Sequence, residues 1–493
     1  MPFRNLIILS SIGFFSLVCY SKAIRSHYGS LLAAAIGEVT QEYVEPVDKR
    51  ELLEGALDGM LRQLDPYSEY ISPDDLVKFE EEIDQEFGGV GIVVEVNPQT
   101  RRLTVLSPLP DTPAYHAGLR AGDMILSIDG QSTDGFIVTD AVDLMRGKPG
   151  TSVQLTILHA GQEEPFDLAL ERAIIPIASV LGDQRRPDGS WDFALREQPK
   201  LAFVRLVTFG DQTASELRQT LSSLAESNQF DGLILDLRGN AGGLLTAAVA
   251  VADMFIDEGA IVSIRGRREN DRRDFEATRP TTIWRDVPMV VLVNRWSASA
   301  SEIVAACLQD HQRATIVGER TWGKGTVQNV LSFEGGKSAL KLTTATYWRP
   351  SGRNIHRGRE AQEKDEWGVR PDPTEEVRLT DAEFEKVMLL RRDRDYGPAP
   401  ADPADSAPAD SASNVSPGTA APAGAESGPL PDEADFPARQ RQETGDPQPD
   451  SARENSPSVD AAVDLEGFVD PQLKRAIEVL NRQLAARTSA QAA

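Results

Sequence analysis

Two short stretches, one of small residues and one rich in glycine, carry residue types that could cleave an acyl bond. The first, Asn294-Arg-Trp-Ser-Ala-Ser-Ala-Ser-Glu302, is a run of small residues between an apolar strand and a helix. A sharp turn of this kind exposes a hydroxyl and offers the following amide as an oxyanion donor. The second, Gly318-Glu-Arg-Thr-Trp-Gly-Lys-Gly-Thr-Val-Gln328, holds Lys324 between two glycines. A lysine activates a hydroxyl only when it is neutral, and apolar burial favours the neutral form by lowering the pKa.

A third stretch, Asp236-Leu-Arg-Gly-Asn-Ala-Gly-Gly243, follows an apolar strand and precedes a helix. Its glycines allow backbone amides to turn toward a negative charge at the helix N-terminus. Each stretch also has a plainer interpretation. Glycine-rich turns often only pack, and the segment from Ser299 to Glu302 fits the capping box of a helix. Lys324 favours catalysis, because this is an unusual place for a lysine that only promotes solubility.

Three other chemistries fit the sequence less well. No G-x-S-x-G occurs, and His311 is the best candidate among five histidines for a base, so a Ser-His-Asp enzyme is disfavoured. Gly318 to Lys324 is nearly a phosphate-binding loop, but Gly325 replaces the magnesium-binding hydroxyl and a strand follows where a helix is required. Ser338-Ala-Leu-Lys341 matches S-x-x-K, yet hydrophobic alternation places it in a strand, where the two side chains do not converge.

The composition excludes several classes of protein. A chain of 493 residues is too long for one ordinary core, which predicts two or three domains. With 51 Lys and Arg against 76 Asp and Glu, the formal net charge is −25, and a nucleic-acid backbone would repel the protein. The two cysteines, Cys19 and Cys307, are too few for a disulfide framework or a cysteine zinc site. We predict no cofactor and no metal.

The N-terminus predicts export. The apolar run at residues 6–20 is shorter than a comfortable membrane span and fits the core of a signal peptide over residues 1–23. Ser21-Lys22-Ala23 offers a small-x-small cleavage site. Arg25 follows closely, which keeps open a second interpretation, an uncleaved anchor that attaches the protein to the inner membrane. Both interpretations predict a periplasmic or extracytoplasmic location.

Hydrophobic periodicity divides the rest of the chain into five regions. Residues 27–83 predict amphipathic helices that either pair two copies as a homo-oligomer or wrap the core. Short strands over 87–172 predict a β-rich domain, and alternating strands and helices over 173–395 predict an α/β layered domain. Residues 401–466 are acidic and Pro-rich, which is typical of a disordered linker. A short amphipathic helix lies within 467–488, and truncation after Arg392 is expected to preserve stability and activity.

Over roughly residues 36–372 the chain resembles the C-terminal processing peptidases, also called tail-specific proteases. The resemblance rests on motifs in family order, among them GGVGI, AGLRAGDMILSIDG, DLRGNAGGLL, SASASEI, GERTWGKGTVQ and GVRPD. The family joins a PDZ domain to a Ser-Lys protease core, which implies a multidomain α/β fold with a mixed sheet. The resemblance also implies that Ser299 is the nucleophile, Lys324 the general base and Gln328 the residue that orients the lysine.

Further roles follow from the same resemblance. The oxyanion hole would be the Ala300 amide with a glycine amide from Gly242 or Gly243. Asp310 matches a position that the family often fills with an acidic residue, and we interpret it as structural. Ala241 departs from the family, which usually has a proline there, and this loosens the turn.

The resemblance makes residues 87–172 the PDZ domain, with Gly89, Val90, Gly91 and Ile92 as its carboxylate-binding loop. In such a loop successive amides hold a peptide's terminal carboxylate while the peptide backbone adds to the adjacent strand. Arg146 stands where relatives have a basic residue that communicates with the active site. The implied function is an exported serine endopeptidase that recognises protein substrates by a free C-terminus. The alternative is a catalytically silent PDZ adaptor, and the joint presence of serine, lysine and glutamine argues against it.

Overall fold

A computed structural model of the chain describes residues 27–97, 100–186, 189–279, 283–396, 465 and 467–492. The predicted signal peptide or anchor and nearly all of the predicted acidic linker lie outside these residues. In the part of the chain that is described, no helix is long and apolar enough to span a membrane. The described residues divide into two compact units, one formed by residues 27–76 with 331–343 and the other by the described parts of 77–330 and 344–492.

The described residues form the following elements. The helices are α1 (27–42), α2 (Lys49–Leu61), α3 (Pro73–Asp84), α4 (Pro113–His116), α5 (Val138–Met145), α6 (Thr213–Ser227), α7 (Leu245–Asp253), α8 (Ala300–Asp310), α9 (Asp381–Tyr396) and α10 (Pro471–Ala492). The strands are β1 (Glu69–Ile71), β2 (Glu86–Gly89), β3 (Ile92–Val96), β4 (Leu103–Pro108), β5 (Met124–Ile128), β6 (Gln131–Ser132), β7 (Ser152–Leu158), β8 (Phe166–Glu171), β9 (Ala173–Pro176), β10 (Val180–Leu181), β11 (Gln184–Arg185), β12 (Trp191–Asp192), β13 (Leu201–Leu206), β14 (Gly232–Asp236), β15 (Ala260–Gly266), β16 (Arg272–Glu276), β17 (Met289–Val293), β18 (Thr315–Gly318), β19 (Thr326–Phe333) and β20 (Ser338–Trp348).

The smaller unit has its own apolar cluster, in which Leu57 and Leu61 of α2 pack with Tyr70. β1 pairs antiparallel with residues 339–341 of β20. The S-x-x-K match therefore lies in a strand, as the alternation predicts. Its lysine, Lys341, forms an ion pair with Glu69 at 2.8 Å, and this contact argues for a structural role.

The β-rich domain is a sheet of order β3-β4-β5-β7-β8, with β6 paired to β5. Strand β7 shows how the sequence builds it, because Val153, Leu155 and Ile157 alternate with more exposed residues and all three are buried in the core. The helix α5 closes the core with Ala141 and Met145. At the boundary of the domain, β2 pairs antiparallel with β9, so the two chain connections to the rest of the unit run side by side.

The α/β layered domain contains a mixed sheet of order β10-β13-β14-β17-β18. β13, β14, β17 and β18 are parallel, whereas β10 is antiparallel to β13. The predicted multidomain α/β fold with a mixed sheet is thus confirmed. Carboxyl ends of parallel strands meet at one edge of a sheet, where ligands usually bind. Three turns converge at this edge, namely the turns that follow β14, β17 and β18.

The C-terminal helix α10 covers one face of this sheet. Leu473, Ala476, Val479 and Leu480 are buried against the strands. The sheet residues beneath them share one side of the pleat and include Phe203, Ile234, Val290, Leu292 and Val317. The expectation that the chain beyond Arg392 is dispensable for stability is therefore wrong for α10, since its removal would expose a large apolar face.

Leu480→Ala should destabilise the protein by about 2–5 kcal/mol, because the leucine is fully buried and its truncation leaves a cavity between α10 and the sheet. The measurement is the free energy of unfolding of the full chain in denaturant. Leu484→Ala is the control, since Leu484 lies one turn further along α10 and is only partly buried. Equal losses for the two variants would show that α10 does not dock as described.

Candidate active site

The turn after β17 presents Ser299 at the first turn of α8. Its backbone has φ 52° and ψ −113°, a conformation that costs a non-glycine residue roughly 1–3 kcal/mol. Ser299 is only 1% exposed, and its N–H donates to Oε2 of Glu302 at 2.9 Å. The capping-box interpretation thus describes the backbone of this turn, while the strained φ is the feature expected of a nucleophile turn.

The turn after β18 carries Lys324, which is 1% exposed. Two hydrogen bonds fix this loop: the N–H of Trp322 donates to the Ser297 carbonyl at 3.0 Å, and the N–H of Thr321 donates to the Val369 carbonyl at 3.0 Å. The loop runs into strand β19 rather than into a helix. The phosphate-loop interpretation therefore fails on structure as well as on sequence.

One buried carboxylate joins the two turns. Oε2 of Glu302 accepts the N–H of Ser299 at 2.9 Å and the N–H of Lys324 at 2.8 Å. Its Oε1 accepts the N–H of Gly323 at 2.7 Å and the hydroxyl of Thr321 at 2.5 Å. The N–H groups of Ser299 and Lys324 donate to the same oxygen. The distance between their backbone nitrogens is therefore no greater than the sum of these two hydrogen-bond lengths.

Burial opposes the charge on Glu302 and raises the pKa of its carboxyl from 4.5 to about 7. The four hydrogen bonds from Thr321, Gly323, Ser299 and Lys324 act in the opposite direction, because they favour the ionised form. The ionised carboxylate has an acceptor for every donor around it, so it is the form that holds both turns.

The loop after β14 packs directly against the Ser299 turn. Asn240 organises it: its side chain donates to the Leu206 carbonyl at 2.7 Å, and its own carbonyl accepts the N–H of Ala298 at 3.0 Å. A methyl group on Gly242 would lie 2.8 Å from Cβ of Ser299, and φ at this position is 111°. Only glycine fits such a close approach.

The structure corrects the assignment of Gly242 as an oxyanion donor. Its N–H already donates to Oδ1 of Asn240 at 2.8 Å. Over the described ranges, no acceptor bonds to the N–H of Gly243 or to that of Ala300, the first residue of α8. These two amides are therefore the ones available to a developing oxyanion.

The structure separates the other sequence candidates. Gln328 on β19 is fully buried, and its amide Nε2 donates to Oγ1 of Thr326 at 2.8 Å. Asp310 forms an ion pair with Arg349 at 2.6 Å, in keeping with a structural role. His311 follows the far end of α8, where its Nε2 contacts the Ala260 carbonyl at 2.8 Å. An eleven-residue helix separates it from Ser299, a distance of about 16 Å, so His311 is not the base.

In the β-rich domain, the predicted carboxylate-binding loop has a defined backbone. The carbonyl of Val90 accepts the N–H of Ala114 at 3.0 Å, and the carbonyl of Gly91 accepts the N–H of Leu109 at 2.9 Å. Gly91 has φ 77°, and a methyl group there would lie 2.3 Å from Cβ of Thr112. Among the described residues, no acceptor bonds to the N–H of Val90 or Gly91, so both remain available to a ligand.

The side chains in and around this loop differ in burial. Val90 and Met145 are buried in the domain core, whereas Ile92 is only partly buried. Arg146 forms an ion pair with Glu81 of α3 at 3.3 Å and stacks over the Phe87 ring at 4.5 Å. In this conformation Arg146 therefore binds the β2 boundary of the domain.

A cavity of about 550 Å³ adjoins the turns that follow β14, β17 and β18. Trp296 and Trp322 form part of its wall, and their rings stack with centroids 6.1 Å apart. These tryptophans precede Ser299 by three residues and Lys324 by two. The remaining apolar lining comes mainly from α9, with Phe384, Val387 and Met388. Such a volume accommodates a ligand of several side chains.

Comparisons with known proteins agree with this arrangement. Peptidase family S41 matches residues 200–373, a PDZ domain matches residues 104–158, and the activating protease CtpB N-terminal domain matches residues 30–74. The chain is 40% identical over 320 residues to the carboxy-terminal-processing protease of Bartonella bacilliformis, covering 64% of this chain and 70% of that protein. It is 32% identical over 366 residues to the carboxy-terminal processing protease CtpA of Bacillus subtilis, covering 74% and 72%.

Among solved structures, the photosystem II D1 C-terminal processing protease is 31% identical, with 74% of this chain and 91% of that chain covered and a TM-score of 0.39. The family matches and the relatives define a serine-type peptidase that carries a PDZ domain. The chain belongs to the carboxy-terminal processing proteases of peptidase family S41. The family resemblance inferred from the motifs is confirmed.

Sequence reasoning missed the most connected residue of the site. Glu302 was recognised only as part of a capping box, because the motif signals the bond to Ser299 three residues away and not the bonds to the lysine loop. The motifs that contain Asn240 and Trp296 assign no role to either residue. Their contacts involve residues distant in sequence, such as Leu206 and Trp322, which spacing alone does not indicate.

Glu302→Gln should reduce kcat at least about tenfold, because the amide nitrogen would face backbone donors on one side of the site. Glu319→Gln is the matched control: Glu319 is a buried carboxylate of the same loop that accepts the N–H of Leu379 at 2.8 Å and that of Arg295 at 3.4 Å. Steady-state cleavage of one peptide by the two purified variants makes the comparison. Equal kcat values for Glu302→Gln and Glu319→Gln would show that Glu302 has no special role in catalysis.

Proposed function

We propose that this peptidase works through a Ser299–Lys324 pair and an acyl-enzyme intermediate. The observation that carries the proposal is the shared bond of both residues to Glu302, which holds the two turns together in a buried site. Burial of Lys324 supports its role as a base, since an apolar environment favours the neutral amine. Gln328 supports it as well, because it is fully buried on the strand that follows the lysine loop and carries an amide oxygen, a group that can accept from an ammonium group.

The chemistry follows from these positions. Oγ of Ser299 attacks the scissile carbonyl carbon while Nζ of Lys324 takes the hydroxyl proton. The carbonyl oxygen becomes an oxyanion, and the amides of Ala300 and Gly243 stabilise it. Collapse of this intermediate breaks the C–N bond, the lysine returns the proton to the leaving amine, and an ester to Ser299 remains. A water molecule, deprotonated by the lysine, then hydrolyses the ester and releases the acid.

We also propose that the PDZ domain selects substrates by a free C-terminus. The open N–H groups of Val90 and Gly91 support this, because adjacent amides match a carboxylate. The neighbouring strand β3 adds an edge for the peptide backbone. The cavity beside Trp296 and Trp322 suits apolar side chains of the same peptide near the scissile bond.

Export is proposed from the sequence of residues 6–20, which lie outside the described residues. Mass determination of the N-terminus of the mature protein distinguishes cleavage after Ala23 from a retained membrane anchor.

Association of two copies through residues 27–83 is supported by α1, on which Leu31 and Val39 are 52% and 41% exposed. Arg146 remains a candidate for communication between the PDZ domain and the core, since it links α5 to the β2 boundary.

Ser299→Ala and Lys324→Ala should each reduce peptide cleavage by roughly 10⁴-fold or more, and the double variant should be no worse than either, because the two residues act as one unit. The assay is release of a fragment from an unstructured peptide, with folding checked by thermal unfolding. His311→Gln is the control and should keep wild-type turnover. Measurable turnover by Lys324→Ala would contradict a lysine base.

A peptide ending in Ala-Ala should be cleaved as the free acid with an apparent KM about ten- to a hundredfold lower than as the amide, since the amide loses charge-assisted hydrogen bonds. Gly91→Asp should abolish this difference by obstructing the loop. Gly118→Asp is its control, because Gly118 also has a positive φ, 82°, but opens to empty space. Equal rates for acid and amide on the wild-type enzyme would remove tail recognition.

A further inference from the structure

The C-terminal helix reaches the active site as well as the core. α10 lies outside the residues 200–373 that match peptidase family S41. The start of α10 lies beside Arg238, which belongs to the same loop as Gly242 and Gly243. NH1 of Arg238 donates to Oδ2 of Asp470 at 2.8 Å and to Oε1 of Gln472 at 3.1 Å. Asp470 and Gln472 thus contact Arg238, which lies more than 200 positions earlier in the chain.

Both contacts are held rigidly. Oδ1 of Asp470 accepts the N–H of Gln472 at 3.0 Å and that of Leu473 at 3.1 Å, so the carboxylate caps α10 and points its other oxygen at Arg238. Gln472 is fully buried, and its Nε2 donates to the Val377 carbonyl at 2.9 Å. This second bond orients the amide so that its oxygen faces the guanidinium.

Arg238 is enclosed between two carboxylates. On the other side its guanidinium binds Asp236 through Nε and NH2, with the shortest contact at 2.8 Å. Arg238 and Asp470 side chains are each 8% exposed, so the cluster is shielded from solvent. Loss of one partner would leave the buried guanidinium charge of Arg238 partly uncompensated, which is strongly destabilising. The Arg238 side chain would then shift to regain a partner. The backbone at Arg238 leads directly into the oxyanion loop, where Gly239 donates to Oδ1 of Asn294 at 3.0 Å.

We propose that Asp470 and Gln472 are positioning residues for peptide-bond cleavage, which set the oxyanion loop through Arg238. The inference rests on the proposed function of that loop. Stabilisation of an oxyanion requires amides placed within a few tenths of an ångström, so a small shift of the loop reduces the rate without changing how the ground-state peptide binds. α10 is accordingly a part of the active site as well as a cover for the sheet.

Asp470→Asn in the full chain tests the proposal. Asn can still cap α10 through its oxygen but presents N–H groups to Arg238. We expect kcat to fall about five- to thirtyfold with KM within about twofold of the wild-type value, the coupling typical of one hydrogen-bond network. An unchanged kcat in a folded variant would overturn the proposal.

Glu375→Gln is the matched control. Glu375 is also 8% exposed and also anchors α10, through Arg475 at 2.7 Å and Arg482 at 2.8 Å, but it does not touch Arg238. Thermal unfolding should show similar losses of stability for the two variants, while only Asp470→Asn loses kcat. Equal losses of kcat would mean that docking of α10, and not Asp470, matters, and this would overturn the proposal.

Gln472→Met serves as a second variant if Asp470→Asn does not fold. It keeps the volume and removes both the acceptor for Arg238 and the donor to the Val377 carbonyl, so kcat should fall about threefold. A wild-type kcat for Gln472→Met would then overturn the proposal.

Wild-type enzyme and Ser299→Ala are run in parallel. If wild-type protein shows no Ser299-dependent cleavage, the proposed function fails, whereas active wild type with unaffected variants refutes only the role of Asp470.

Discussion

The active site depends on one buried carboxylate. Glu302 accepts four hydrogen bonds, two from the backbone around Lys324, one from Thr321 and one from Ser299. The parallel strands bring the two turns to the same edge of the sheet, but strand geometry fixes such positions only to within several ångströms. Hydrogen bonds to a common acceptor fix the two turns far more closely. The energetic cost is that the charge of the Glu302 carboxylate is buried away from water.

Hydrogen bonds to two asparagines extend this constraint. Asn240 accepts the N–H of Ala298, in the Ser299 turn, through its main-chain carbonyl and the N–H of Gly242 through its side chain. The side chain of Asn294, at the start of the Ser299 turn, accepts the N–H of Gly239. The stacked pair Trp296 and Trp322 covers the same junction on its outer side. The turns that carry Ser299, Lys324 and Gly243 therefore belong to one hydrogen-bonded network, and electrostatic catalysis requires preorganisation of this kind.

Much of this arrangement could be predicted from sequence, because strand periodicity, glycine turns and motif order are local signals. Strand periodicity and glycine turns predict the α/β sheet and the loops that converge at its edge, whereas the pairing of Ser299 with Lys324 is implied by the family resemblance. What could not be predicted are the partners of local motifs over long separations. Glu302 meets Gly323 across 21 residues, and Arg238 meets Asp470 across 232. Likewise, spacing cannot tell which of two adjacent glycine amides is already bonded to Asn240.

The separation between β18 and α10 along the chain has a consequence for biosynthesis. About 150 residues separate the end of β18 from the start of α10, so the strands of the sheet are synthesised well before the helix that covers them. At 5–20 residues per second, this interval lasts roughly 8 to 30 seconds on the ribosome. Until α10 is made and docks, the apolar side of Phe203, Ile234 and Val290 has no cover, and exposed apolar surface of this kind promotes association with other chains.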